Sequence, residues 1–311
     1  MSQGNKGEMA VMLYPVEYRC NLRCQYCFYL DNGHSGQPPD IEVFQSTIER
    51  VAPYYGNIKV FWCGGEFLLA GKKYFRMVAK MTRSFADAGI VIRHVGQTNA
   101  VAVDHEWIEI FRILNFEVGL SLDFPLELNN RRVWLSGRAA TPEILRGVQL
   151  VVNSGLRYKM TSVVTKQTLG REQEIAEELK IRFPDNIRQA FAPCYMGSAS
   201  ASDMFITGAE YAEFIKRITP LLPWRVREAE FAQLSDLCFV RSECKEVLFV
   251  DFAGRWYTCS RIFDQEELLF EGGLPEYQLA KELNFRGQHD CVCLDTATRN
   301  FWQEFLDNMS V

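Results

Sequence analysis

The sequence predicts an α/β fold: six strand–helix units in a parallel sheet, doubly wound or rolled into a barrel, ahead of a small cysteine-rich hairpin-and-helix region. Two observations carry this. Short β-rich apolar runs alternate with longer amphipathic stretches six times between residues 11 and 193. The alternation stops near residue 205, and five of the ten cysteines then fall between Cys238 and Cys293.

The strand candidates are VMLYPVEY (11–18), IKVFWC (58–63), IVIRHV (90–95), FEVGLSLD (116–123), YKMTSVVT (158–165) and IRQAFAP (187–193). The intervening helix candidates are residues 41–55, 73–89, 105–114, 141–155 and 171–183, with Gly89 and Gly155 at C-cap positions. A sheet of this kind places its working residues at the C-terminal strand ends. Three nearby cysteines, Glu66, Asn99, Asp123 and Pro193 all sit at or just after a strand candidate. Beyond residue 205, AEYAEFIKRITPLL reads as a helix and KEVLFVDFAGRWYTC as a hairpin turning at Ala253-Gly254.

Composition narrows the function. The 311 residues are 48% hydrophobic and 23% charged, as in ordinary globular proteins, and the formal charge of −5 leaves no basic footprint for nucleic acid. No apolar run approaches the roughly eighteen residues of a membrane span. The first ten residues, MSQGNKGEMA, lack a signal peptide's apolar core. A soluble cytoplasmic protein is the expectation. In a reducing compartment ten cysteines point to metal or redox chemistry ahead of disulfides. Cys63 and Cys194, standing alone, read as small buried hydrophobes.

Cys20, Cys24 and Cys27 form C-x3-C-x2-C on the loop after the first strand. Three thiolates this close suit three irons of one 4Fe-4S cubane and leave the fourth iron for a small bidentate ligand. Zinc would need a fourth ligand, and the one nearby candidate, His34, is oddly spaced. In the second group, nine residues separate Cys244 from Gly254 and four separate Gly254 from Cys259, with Cys238 upstream and Cys291-Val-Cys293 downstream. A hairpin turning at Gly254 would return Cys259 beside Cys244. Either Cys291 or Cys293, not both, would complete a site. A zinc ribbon competes with a cluster here.

CNLRCQYCFY resembles the signature of the radical S-adenosylmethionine (SAM) superfamily, and other segments match in order: GGEFLL (64–69), QTNA (97–100), GLSLDFP (119–125), Asn130, Arg132 and Gly137, and FAPCYMGSA (191–199). The pattern, over about residues 10–293, is similar to members with a C-terminal SPASM or twitch domain, among them anaerobic sulfatase maturases and ribosomal-peptide-modifying enzymes. The resemblance implies a partial (β/α)6 TIM-like barrel over 1–205 and a small cysteine-rich hairpin–helix domain over 206–311. It implies a SAM-binding 4Fe-4S cluster on Cys20, Cys24 and Cys27. One auxiliary 4Fe-4S cluster would draw on Cys238, Cys244, Cys259, Cys291 and Cys293. Gly64, Gly65 and Glu66 would hold the SAM amino group, and Ser121 with Arg132 the carboxylate. Gln97, Asn99 and Asp123 would lie near ribose and sulfonium, with Tyr26 also in the cofactor site. Phe67 and Phe124 depart from the family's usual Pro and Gly.

The implied activity is a radical SAM oxidoreductase that oxidatively modifies a ribosomally made peptide. Its electrons would come from a flavodoxin or ferredoxin, and a separate leader-binding protein would present the peptide. Dehydrogenation of a small-molecule alcohol, and a non-enzymatic iron–sulfur carrier, are the alternatives. Sulfatase maturases place a catalytic aspartate directly after the cysteine matching Cys259; here that position is Ser260, which disfavours formylglycine formation.

Overall fold

The computed structural model describes residues 8–27, 29, 36, 39–183, 187–195, 199–222, 226, 247–257, 269–270 and 296–309, without the side chains of 199–201, 269–270 and 296–299. Six strand–helix units are present. The strands are β1 (Glu8–Leu13), β2 (Asn57–Trp62), β3 (Val91–Thr98), β4 (Glu117–Ser121), β5 (Tyr158–Val164) and β6 (Arg188–Pro193). The helices are α1 (Ile41–Val51), α2 (Lys72–Asp87), α3 (His105–Ile113), α4 (Thr141–Asn153), α5 (Glu172–Arg182) and α6 (Gly208–Ile218). Then come β7 (Val247–Val250), β8 (Trp256–Tyr257), β9 (Leu269–Phe270) and α7 (Thr296–Met309). The first strand ends earlier than its apolar run, because Pro15 has no N–H for a ladder and Pro15–Tyr18 turn instead. Helix α1 likewise stops short of 55, before Pro53.

One sheet runs β6-β5-β4-β3-β2-β1-β7-β8-β9, parallel from β6 to β7 and antiparallel in the last two pairs. Burial alternates along β1 and β2: Met9, Val11, Leu13, Ile58, Val60 and Trp62 are buried and their neighbours are not. A doubly wound sheet would bury both faces. Here α1, α2 and α3 pack on one face, as Trp62 meets Phe44 and Phe75, and Phe75 meets Trp107. The registers put Glu8, Lys59, Arg93, Glu117, Lys159 and Arg188 together on the opposite, inner face. Arg93 pairs there with Glu8 at 3.4 Å and Lys159 with Glu117 at 3.5 Å. Helices outside, a polar face inside and unjoined ends at β6 and β9 make this a partial barrel.

Helix starts follow local chemistry. Asp40 accepts from the Glu42 N–H at 2.9 Å and Asp104 from the Trp107 N–H at 3.0 Å. Thr207 and Glu210 form a capping box on α6. The hairpin turns where expected: Asp251 accepts from the N–H groups of Ala253 and Arg255, each at 2.9 Å, and Gly254 has φ +79°. The hairpin is no separate layer, since β7 pairs with β1 from Ala10↔Val247 to Leu13↔Val250. Helix α7 packs on α6, where Phe301 and Phe305 meet Tyr211.

Gly208 permits that docking, because a Cβ there would lie 2.1 Å from the Phe301 carbonyl oxygen and 2.7 Å from the Phe305 nitrogen. Gly208→Ala is therefore expected to cost about 1–3 kcal/mol in denaturant unfolding. Hydrogen exchange should show α7 loosening first; unchanged stability would mean that α7 does not pack there.

Candidate active site

Eight residues, Cys20 to Cys27, carry the thiols without regular secondary structure, so their placement depends on neighbours. The loop after β2 is laced to the chain before Cys20. Gly65 N–H donates to the Glu17 carbonyl at 2.8 Å and Glu66 N–H to the Arg19 carbonyl at 2.9 Å. A Cβ on Gly64 would meet the Glu17 oxygen at 2.0 Å, and one on Gly65 the Arg19 oxygen at 2.2 Å. Two glycines in sequence are what this backbone approach requires.

Glu66 is buried. Its Oε1 accepts from the Leu68 N–H at 3.2 Å and the Thr98 hydroxyl at 2.8 Å, and Oε2 accepts from the Asn99 N–H at 2.8 Å. A carboxylate offers about four acceptor positions, so these bonds leave room for one more donor. Burial pushes the carboxyl up to about 7, although those three bonds pull it down. A cationic donor such as an ammonium would relieve it. Asn99 turns its side chain back on the cysteine loop, donating Nδ2 to Asn21 Oδ1 at 2.8 Å and approaching Cys20 Sγ at 3.7 Å. The Leu22 N–H points at the same sulfur at 3.4 Å.

On the inner face, exposed Gln97 donates Nε2 to Ser121 Oγ at 2.9 Å. Two residues past Ser121, Asp123 is buried against Arg132 in a bidentate pair, with Nε on Oδ2 and Nη2 on Oδ1, each at 2.9 Å. Burial disfavours the guanidinium charge, but Asp123 outweighs this and holds Arg132 above its ordinary value. The Tyr26 hydroxyl donates to Asp123 as well. Of the twelve residues expected at the SAM and first-cluster site, Gln97 and Ser121 lie at the C-terminal ends of β3 and β4 and the other ten on the segments that follow β1, β2, β3 and β4. Cys238, Cys244, Cys259, Cys291, Cys293, Ser260 and His34 lie outside the described residues.

Three thiols on one eight-residue loop, with the Leu22 N–H and the Asn99 amide directed at Cys20 Sγ, suit a metal–sulfur group. Burial pushes Cys20 up to about 12, helped by the Glu66 charge, and Cys24 up to about 11 against the pull of Arg132. Burial raises Cys27 too. Burial raises the isolated Cys63 and Cys194 in the same way, so these shifts mark burial and not ligation. Among the described residues no three His, Cys, Asp or Glu side chains converge as ligands of a single metal ion. Cys194 is buried with Tyr26 and Met204, and Cys63 packs by Tyr14, Phe249 and Tyr257. Sequence reasoning missed Thr98 and Asn21, which bind Glu66 and Asn99; both belong to the quoted segments, but their partners are distant in sequence.

A model of the Radical SAM superfamily matches residues 14–179. A serine-type anaerobic sulfatase-maturating enzyme of Klebsiella aerogenes is 25% identical over 288 residues, 87% of this chain and 70% of that protein. The enzyme of the same description from Bacteroides thetaiotaomicron is 28% identical over 162 residues, half of this chain but 39% of that protein. Among solved structures, native anSMEcpe with bound AdoMet superposes with a TM-score of 0.73 at 21% identity, covering 95% of this chain and 84% of that one. Streptococcus suis SuiB bound to its precursor peptide SuiA gives 0.64 at 14% identity, covering 95% and 71%. At these identities the two structures show the shared fold. Among the described residues, no helix is long and apolar enough to cross a membrane.

Glu66 generates a pH test. Its folded-state pKa lies above the ordinary 4.5, so between 4.5 and about 7 the unfolded chain releases a proton that the folded one keeps. Stability contributed below this window is lost as pH rises through it. In protein free of cluster and SAM, the decline should reach about 3 kcal/mol and flatten in Glu66→Gln, read as unfolding midpoint against pH. An equal slope in both proteins would place Glu66 in a wetter site.

Proposed function

The chain belongs to the radical SAM superfamily, a family whose members use a 4Fe-4S cluster and SAM, and on that premise we propose that it oxidatively modifies a ribosomally made peptide. Cys20, Cys24 and Cys27 would hold the cluster with one iron open. Gly64, Gly65 and Glu66 would receive the SAM ammonium, Ser121 the carboxylate, and Gln97 and Asn99 the ribose side. Tyr26, Asp123 and Arg132, joined to one another beside β4 and β5, would border the same site. When bound, cluster and SAM supply a 5'-deoxyadenosyl radical that takes a hydrogen atom from the substrate.

The observation that carries this reading is the joining of the cysteine loop to Glu66 through Asn99. Asn99 gives its N–H to Glu66 and its side-chain amide to Asn21. An ammonium acceptor and a sulfur ligand are thereby tied to one residue. Glu66 would orient SAM by its remaining acceptor position, and the buried surroundings of Glu66 would exclude water.

The peptide reading is supported by the sulfatase-maturating relatives and by the fold shared with SuiB bound to SuiA. Residues 206–311 would form the auxiliary portion, with one 4Fe-4S cluster on Cys238, Cys244, Cys259 and one of Cys291 and Cys293. The β7–β8 turn at Asp251–Gly254 favours this, because it reverses the chain between Cys244 and Cys259. That cluster would accept an electron from the substrate or ligate it. A flavodoxin or ferredoxin would feed the first cluster, and a separate protein would present the leader.

Anaerobic reconstitution followed by dithionite and SAM tests the assignment. Cys24→Ala should abolish 5'-deoxyadenosine, whereas Cys244→Ala should keep the cleavage and lose peptide conversion. Equal cleavage by both variants would refute the division of clusters. Turnover of an alcohol but no peptide would replace the substrate reading.

A further inference from the structure

Tyr26 stands between the second and third cysteines, and its ring is buried with Cys194 and Met204 while Cys24 packs on the same cluster. Its hydroxyl reaches Asp123 Oδ2. That oxygen also accepts from Arg132 Nε at 2.9 Å. Oδ1 accepts from Arg132 Nη2 at 2.9 Å and from the Val163 N–H at 2.8 Å. Four bonds fill the roughly four acceptor positions of a carboxylate. Asp123 therefore has no acceptor left for a ribose hydroxyl, in contrast to Glu66. Arg132 gives Asp123 its Nε–H and one Nη2 hydrogen and keeps three further N–H donors.

The backbone follows the same path. Arg23 N–H donates to the Val133 carbonyl at 2.7 Å and Gln25 N–H to the Arg131 carbonyl at 3.0 Å. Cys27 N–H then closes on the Cys24 carbonyl at 3.0 Å. Two main-chain bonds and one hydroxyl thus fasten residues 23–27 to residues 123–133.

We infer that the Tyr26 hydroxyl and Asp123, the latter held by Arg132, are positioning groups for the cluster, fixing where Cys24 and Cys27 present their sulfurs, and that the Asp123 carboxylate is not a SAM ligand. The inference rests on the assignment of Cys20, Cys24 and Cys27 to that cluster. Hydrogen-bonded partners behind metal ligands commonly matter about 10–100-fold in metal affinity. Tyr26→Phe keeps the ring and its packing but removes the one side-chain bond from the cysteine loop to Asp123.

The test uses the full chain, reconstituted anaerobically and carrying Cys244→Ala and Cys259→Ala, with iron counted above the same chain carrying Cys24→Ala. Without SAM, Tyr26→Phe should lose iron to bathophenanthroline about 10-fold faster, with unchanged far-UV circular dichroism. The reduced cluster's electron paramagnetic resonance spectrum should also change. Asp123→Asn should act likewise, and the double variant should lose iron no faster than Asp123→Asn alone, because both remove one linkage. If SAM-free iron loss and spectrum match the parent while SAM affinity falls, these residues are SAM ligands and the inference fails. If the parent holds no more iron than its Cys24→Ala derivative, the cluster assignment itself fails, and the inference with it.

Discussion

The buried Asp123–Arg132 pair is the interaction on which the cysteine loop's geometry depends. A buried ion pair stabilises only when every remaining lone pair and N–H finds a partner. Asp123 meets that condition on its side, with Arg132, Tyr26 and the Val163 N–H filling both oxygens. Its own N–H donates to Asn129 Oδ1 at 3.1 Å, and Asn129 passes its amide to Thr141 at 3.1 Å. The carboxylate thus joins β4, β5, the N-terminus of α4 and the cysteine loop. An irregular stretch of eight residues acquires a defined shape because rigid strand ends hold it.

Glu66 performs the matching task at the other end of the loop, with a different balance. Both acids are buried, yet Asp123 faces a guanidinium and Glu66 faces neutral donors. An unpaired acid in a dry setting holds its proton, and Glu66 is pushed up to about 7 accordingly. The asymmetry separates their work. Asp123 is saturated and holds structure, while Glu66 retains capacity for a cation arriving from outside. Two acids just past the ends of β2 and β4 are sorted only by what surrounds them.

The sheet explains why both ends can act on one loop. Parallel strands deliver every C-terminus to the same edge, so Gly64–Glu66, Asn99, Ser121 and Asp123 become neighbours although they span sixty residues of chain. Gln97 and Ser121 meet on the inner face at that same edge. The C-terminal hairpin extends this sheet beside β1, the strand that leads into the cysteine loop. Cation–π contact of Arg50 with Trp256 at 3.6 Å fastens the hairpin to α1.

Alternating apolar runs, cap residues and turn glycines made the six strand–helix units legible in the sequence, because each depends on residues close in the chain. The C-x3-C-x2-C spacing and the Gly-Gly-Glu, Gln-Thr-Asn and Ser-Leu-Asp segments likewise announced the superfamily. Periodicity by itself left a doubly wound sheet and a barrel both open, since an alternating strand does not say whether its second face is covered; the family resemblance implied the partial barrel that the tertiary structure shows. The glycine pair's reason was also hidden, because it lies in the backbone of residues 17–19. So was the commitment of Arg132 to Asp123, nine residues away, and of Tyr26 to that same acid across ninety-seven. Hydrogen-bond capacity is filled in space, and only the folded chain shows which carboxylate is full and which can still accept.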